Sequence, residues 1–464
     1  MYVHWHRRDL RVEDNRTLSS SDLVLPVFVF DEGVLSHAAP PRVSFMLSAL
    51  ESLRDSYRER GGDLLVLRGD PRDEIPRIAA AYDADAVVWN RDYSGLAKAR
   101  DADVREALSD AGIERQAFHD ALLHTPGSIT TNKGDYYSVY TYFWKKWRDR
   151  ETDAPFDAPK KIVVPDEVSG DGIEIPTLAD LGFEEPEGEI PPAGTEAARD
   201  LLSDFCERDV YRYDEARDYP ARESTSRLSP HLKFGTVGIR EVWETTERAK
   251  NDAESEDEAE SVEEFQGQLA WREFYAHVLD DNPSVVVENY KDYQYDIAWH
   301  DDPDGVQAWK DGETGYPIVD AGMRQLREEA WVHNRVRMIV ASFLTKDLLV
   351  DWREGYDWYR RKLVDHDTAN DNGGWQWAGS TGTDAQPYFR IFNPMTQGER
   401  FDSDAEYIKR FVPELSDVPP EKVHEWNELD PDEREDLAPE YPDPIVDHSE
   451  RREMAITMFE NARG

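Results

Sequence analysis

Leu23-Val24-Leu25-Pro26-Val27-Phe28-Val29-Phe30 is a short apolar run rich in β-formers, and shorter runs of the same kind occupy residues 2–5, 64–67 and 86–89. Helical patterns fill the gaps, over residues 43–60 and 71–82. This βαβα rhythm predicts an α/β unit, a Rossmann-like parallel sheet, over residues 1–125. Ligands of such sheets sit beyond the carboxyl ends of the strands. No GxGxxG follows the first run, so a standard dinucleotide site is not indicated there.

Working outward, the 464 residues are too many for one ordinary core and suit two units with a connection. Residues 150–200 are rich in Pro, Asp and Glu and lack long periodic segments. A connection is therefore placed over residues 126–199. Helical periodicity dominates beyond it, which predicts an all-α unit over residues 200–464. Residues 251–264 carry eight acidic side chains and no basic one, the mark of a solvated loop or helix end.

The chain holds 98 acidic against 54 basic residues, a formal charge of −44. Such a surface repels itself in dilute buffer and is tolerated in concentrated salt, so the composition reads as that of a halophile. Residues 320–362 run against the trend, with nine Lys/Arg and seven Asp/Glu. They suit either a phosphate-contacting face or a helix pair with ordinary surface charges. The single cysteine, Cys206, forms no internal disulfide and supplies no thiolate metal site, and no metal is expected. No apolar signal core opens the chain and no run approaches about 18 apolar residues, which predicts a cytoplasmic protein without a membrane span.

Four segments carry candidate chemistry. Thr225-Ser226-Arg227-Leu228-Ser229 groups hydroxyls and a cation ahead of a helical stretch, a combination that suits a pyrophosphate and also plain N-capping. Trp271-Arg272 pairs a flat ring with a cation; core packing is the plainer reading. Asn334 and Met338 lie four apart on one helix face, where Asn can read a base edge and Met can meet an irregular ligand. Asp365-His366-Asp367, followed by Asp371-Asn372-Gly373-Gly374-Trp375-Gln376-Trp377, sets carboxylates beside a glycine pair that permits close approach to a ligand.

Together these segments resemble the photolyase/cryptochrome family, class I cyclobutane pyrimidine dimer photolyases of haloarchaeal type in particular. The resemblance starts at WHRRDLRVEDN (residues 5–15) and runs through DYYSVYTYFWKKW (135–147), TSRLSPHLKFG (225–235) and WREFY (271–275). It is densest through GYPIVDAGMRQL (315–326), HNRVRMI (333–339) and NGGWQWAGSTGTDAQPYFRIFNP (372–394). It implies light-driven repair of cyclobutane pyrimidine dimers in DNA. The electron comes from excited, reduced FAD (FADH⁻) and goes to a dimer flipped out of the duplex. A cryptochrome-like photoreceptor and a (6-4) photolyase are the alternatives.

Residue by residue, the resemblance assigns the FAD site to Tyr213, Thr225, Ser226, Arg227, Leu228, Ser229, Trp271, Arg272, Asn334, Arg337, Asp365 and Asp367. The dimer pocket involves Gln268, Trp271, Asn334, Met338 and Trp377, and Arg335 and Arg390 match positions that contact DNA phosphates. Trp375, Trp352 and Trp299 match the family's electron-transfer chain. An antenna pigment at the sheet's carboxyl edge is assigned Phe30, Asp31, Arg42, Asn90 and Asp92, and 8-hydroxy-5-deazaflavin is favoured over a folate. The protein is expected to act as a monomer.

Two positions depart from the family pattern. Gln268 stands where most dimer photolyases have Glu, and Asp371 stands where they have Asn beside the flavin. A carboxyl at the latter place is expected to be partly desolvated, which favours its protonated form and makes a neutral flavin radical more accessible. The acidic composition has its own consequence. In concentrated salt Coulomb attraction to DNA contributes little, so stacking and shape must select the lesion. Dimer affinity, measured from low to molar KCl, is expected to fall less steeply than that of a basic repair enzyme; a steep loss across the molar range would contradict this.

Overall fold

The computed structural model describes residues 1–165 and 172–464. Five parallel strands, β1 (Tyr2–His6), β2 (Leu23–Phe30), β3 (Leu65–Arg68), β4 (Ala86–Asn90) and β5 (Glu114–Phe118), line up in the order β3-β2-β1-β4-β5. Helices Pro40–Glu59, Pro71–Ala81 and Gly95–Asp110 connect them. The unbroken apolar runs are explained by helices on both faces of the sheet: β2 is buried from Val24 to Phe30 and β4 throughout. The strand order reverses between β1 and β4, and that switch point opens a crevice at the carboxyl edge.

A hydrogen-bonded hub fixes the end of β1. Asp9 Oδ2 accepts from Asn90 Nδ2 at 2.7 Å, from Asn15 Nδ2 at 3.0 Å and from His4 Nε2 at 3.1 Å. His6 Nδ1 meets the Asp9 carbonyl and His6 Nε2 meets the Tyr57 hydroxyl. His4, His6 and Asp9 lie close enough together to hold an ion; the contacts above leave His4 Nδ1 without a partner.

The connection departs from the expected boundaries. A sixth strand, β6 (Lys161–Ile162), pairs with the start of β2 in parallel. Ile175, Leu178, Leu181, Phe183 and Ile190 pack on the core beside the helix Pro40–Glu59. Part of the stretch read as a surface connection therefore belongs structurally to the α/β unit. Residues 166–171 of that stretch lie outside the described residues. A helix, Tyr140–Arg148, also lies within that stretch and packs through Phe143 and Trp147 on the helical unit; that unit continues from Thr195–Glu207, and the acidic 251–264 stretch spans the end of Ile239–Asp252 and the start of Glu256–Asp281. There Ser255 caps the helix and Glu256, Asp257 and Glu258 face its positive end. No helix among the described residues is long and apolar enough to cross a membrane.

The two units meet across buried charge. Arg240 Nε bonds Asp14 Oδ1 at 2.6 Å and its Nη2 bonds Asp120, whose other oxygen receives Arg11 at 2.5 Å; the four side chains are 1–3% exposed. Gly238 is required here, because a Cβ would stand 1.8 Å from Asp14 Oδ2. Burial acts to raise the Asp120 carboxyl, but Arg11 and Arg240 outweigh it and hold it below the ordinary range. Its contribution is therefore present at neutral pH and lost as pH falls through that lowered value. Glu273 makes a second tie, accepting from Leu123 N, His124 N and Trp147 Nε1, and burial pushes its carboxyl up to about 7.

Breaking one partner of a buried charge cluster costs about 3–5 kcal/mol, whereas a surface pair is worth at most about 1 kcal/mol. Arg240→Met is expected to lower the urea midpoint in molar KCl by the larger amount. Lys422→Met, which breaks the surface pair with Glu433, is expected to lower it by the smaller. Equal losses would contradict the assignment of the interdomain seam.

Candidate functional site

Asp365-His366-Asp367 forms the turn ahead of the helix Thr368–Ala378, and each residue takes a different partner. Both oxygens of Asp365 accept from Arg337 Nη2, at 2.7 and 3.0 Å, while Arg337 Nε donates to the Val332 carbonyl. Asp367 caps the helix through Ala369 N and Asn370 N and accepts from Arg8 Nη2 at 2.6 Å. His366 Nδ1 lies 2.6 Å from Asp371 Oδ2, and Arg337 Nη1 lies 3.5 Å from Asp371 Oδ1. Asp371 is buried, as the sequence reading expected of a partly desolvated carboxyl, and the structure adds these two neighbours.

Around this turn stand the other segments. His333 caps the helix Asn334–Ser342 through Nδ1, and Asn334 and Met338 share a face, with Asn334 Nδ2 4.0 Å from Met338 Sδ. Arg227 adopts φ +52°, an unusual conformation that clusters at functional sites. Its guanidinium lies 3.5 Å from the Trp331 ring and pairs with Glu329. Ser229 Oγ accepts from Trp331 Nε1, Ser226 Oγ accepts from Leu228 N, and Leu228 and Tyr213 are buried with Thr225 half-buried beside them. Arg272 spans the units, donating to the Ala121 and Leu232 carbonyls.

Three donors in these walls have no acceptor: Trp375 Nε1, His333 Nε2 and the Tyr359 hydroxyl. His333 accepts from Arg335 N at Nδ1, so its proton sits on Nε2. Burial lowers the ring to about 4, which keeps it neutral. Unpaired buried donors are costly, and an acceptor-rich ligand would satisfy them. Together with Arg227, Arg272 and Arg337, this donor set fits a flavin with a pyrophosphate.

The tryptophans descend from core to surface. Trp375 is buried, its ring centroid 5.0 Å from Tyr359 and 6.0 Å from Trp309. Gly355 leaves room for it, since a Cβ there would lie 2.0 Å from the ring. Trp352 is fully buried in the same core with Nε1 bonded to Asn289, and half-buried Trp299 packs against that core and Phe459. The expected lesion-facing residues divide. Trp377 is half-buried near Phe392, and Arg390 is exposed beside exposed Phe389. Trp271 stacks one face on Tyr140 at 3.7 Å, half-buried Gln268 bonds the Glu264 carbonyl, and Arg335 is committed to Asp218 at 2.6 Å.

At the sheet edge, the structure puts several expected pigment contacts to other work. Phe30 is buried on Phe28, Asn90 belongs to the Asp9 hub, Asp31 caps the helix Glu32–Leu35, and Arg42 donates to the His37 and Arg360 carbonyls. Asp92 pairs with Arg8 at 3.3 Å. A cleft lies between the units, lined among others by Arg8, Arg91, Asp92, Tyr93, Arg272 and Asp367. Lys233, unnoticed in the sequence reading, faces this region. Burial, with Arg8 and Arg42 nearby, pulls its amine down to about 7 against the opposing pull of Asp367 and Asp92. Arg8 was equally unmarked; only the doubled arginine in WHRRDLR hinted at it.

Residues 2–160 match the family described as DNA photolyase, and residues 265–461 the FAD binding domain of DNA photolyase. The chain is 62% identical over 479 residues to the deoxyribodipyrimidine photo-lyase of Halobacterium salinarum, with 100% of each chain covered. A bacterial class III photolyase from Agrobacterium tumefaciens superposes with a TM-score of 0.90 at 36% identity, over 99% of this chain and 97% of that one. An archaeal photolyase from Sulfolobus tokodaii with two FAD molecules superposes with a TM-score of 0.85 at 35% identity, over 99% of each. Both units share in these likenesses, and the chain belongs to the DNA photolyase family.

Proposed function

We propose that this protein splits cyclobutane pyrimidine dimers in DNA with blue light, and that FAD is held at the Arg337–Asp365 wall. Bound FAD in its reduced form supplies the electron that opens the cyclobutane ring and recovers it afterwards. The observation that carries the reading is the set of partnerless donors, Trp375 Nε1, His333 Nε2 and Tyr359 hydroxyl, which lie with Arg272 and Arg337 inside the matched FAD domain, Arg227 joining from the segment before it. The arginines suit the pyrophosphate. Trp375 begins a buried aromatic path that passes through Trp352 and ends at half-exposed Trp299, which suits delivery of electrons to oxidised flavin.

Recognition of DNA falls to the neighbouring face. Asn334 and Met338 lie side by side there, and Trp377 and Trp271 offer flat surfaces for a flipped lesion. Arg390 is exposed and suits a phosphate; Arg335 must first release Asp218. Gln268 keeps a hydrogen-bonding amide at the pocket without a charge.

A second chromophore suits the cleft between the units. Arg8, Arg91 and Arg272 bring positive charge to its lining against Asp92 and Asp367. Such a cluster favours a pigment with an acidic hydroxyl, as 8-hydroxy-5-deazaflavin has, over a neutral one.

The test is repair of a defined thymine-dimer oligonucleotide in molar KCl by reduced protein. Thymine absorbance is expected to return under blue light and to stay lost in the dark. A stacking face is worth about 1–3 kcal/mol, so Trp377→Ala is expected to weaken dimer binding about ten- to a hundredfold with the flavin spectrum unchanged. Tight flavin binding with photoreduction but no repair would move the reading to a photoreceptor.

A further inference from the structure

Asp371 lies in the first turn of Thr368–Ala378 and is buried. Its two neighbours are unequal. Arg337 is already committed to Asp365 and the Val332 carbonyl, and its 3.5 Å approach to Asp371 is too long for a good hydrogen bond. His366 stands at 2.6 Å. A short N–H···O⁻ bond of this kind is about twice as strong as a neutral one. The imidazole therefore sets where the Asp371 carboxylate points.

The ring itself is held from several sides. Tyr356, from the helix Trp352–Lys362, packs edge-on at 5.5 Å. Burial lowers the imidazole, Asp371 opposes that, and Arg42 from Pro40–Glu59 and Lys233 from Ser229–Phe234 push it down again. Arg360 lies beside Arg42, and Asp365 and Asp367 flank the ring in sequence, turned to Arg337 and Arg8. The ring is thus neutral at pH 7 with its proton on Nδ1, facing the carboxylate. Its side chain keeps 7% of its surface open.

We propose that His366 is a positioning residue: by donating to Asp371 it fixes the charge that this wall presents to bound FAD, and that charge titrates as a His–Asp pair rather than as a lone carboxyl. The inference rests on the Arg337–Asp365 wall being the flavin site. As pH falls, one proton from solvent goes to Nε2, the ring nitrogen not bonded to Asp371. The pair changes from −1 to neutral with no bond to the flavin made or broken. Without His366 the wall loses the site that takes this proton, and Asp371 is left with Arg337 alone.

The experiment follows the absorption and midpoint potential of bound FAD against pH in the holoprotein, in molar KCl. Wild type, His366→Leu, His366→Asn, Asp371→Asn and the double variant His366→Leu/Asp371→Asn are compared. Wild type is expected to show one single-proton transition. Asp371→Asn keeps the imidazole but removes the carboxylate that raises it, so it is expected to move the transition down and change its size. His366→Leu, which removes the site of the proton, is expected to abolish the transition, and the double variant to match His366→Leu. His366→Asn keeps a donor and a polar side chain, so it tests the same point if the leucine variant folds poorly; it should likewise lose the transition, with flavin affinity retained. A His366→Leu or His366→Asn profile that superimposes on wild type overturns the proposal. If none of the variants moves the flavin signal, the placement of FAD at this wall falls as well.

Discussion

Arg8 joins three parts of the molecule that are far apart in sequence. It leaves the carboxyl end of β1, meets Asp92 after β4, and reaches Asp367 at the start of Thr368–Ala378. The sheet's switch point and the flavin wall are thereby set in one frame. Arg272 repeats the tie from the other side, through the Ala121 and Leu232 carbonyls, and the Asp14–Asp120–Arg11–Arg240 cluster locks the back of the seam. Buried ion pairs of this kind contribute little net stability over apolar packing. Their effect is geometric, because a misdocked unit would leave several charges buried and unpaired.

The distribution of cations follows from the same constraint. A chain at −44 buries Arg11 and Arg240 at the seam against Asp14 and Asp120, while most of its charged side chains stay toward solvent. Concentrated salt screens the surface and leaves the buried pairs almost untouched.

Legibility in the sequence divided along physical lines. Runs such as residues 23–30 announce strands because burial on both faces demands unbroken apolar character, and β1 to β4 appear where the runs stand. β6 was illegible: two residues pairing with the start of β2 leave no periodic trace. Asn334 and Met338 share a helix face as their spacing implies, and Arg337 and Asp365, both named by the family resemblance, meet as a pair. Arg335, Asn90 and Arg42 show its limit, because motif matching gives the residue type but not the partner that already occupies it. Asp218, the Asp9 hub and the Arg360 carbonyl come from distant segments. Lys233 went unnoticed, and His366 was named without a partner, for the related reason that what marks them is burial against charges from other elements, and a sequence does not display burial.

Light must drive the chemistry if FAD sits where these walls place it. The most direct measurement is an action spectrum: the rate of dimer splitting against wavelength, with purified reduced protein in molar KCl and a dark control. Splitting that follows the absorption of the bound reduced flavin, with any further band matching a second bound pigment, is the expected result. Splitting in the dark, or none under light that the bound flavin absorbs, would contradict it.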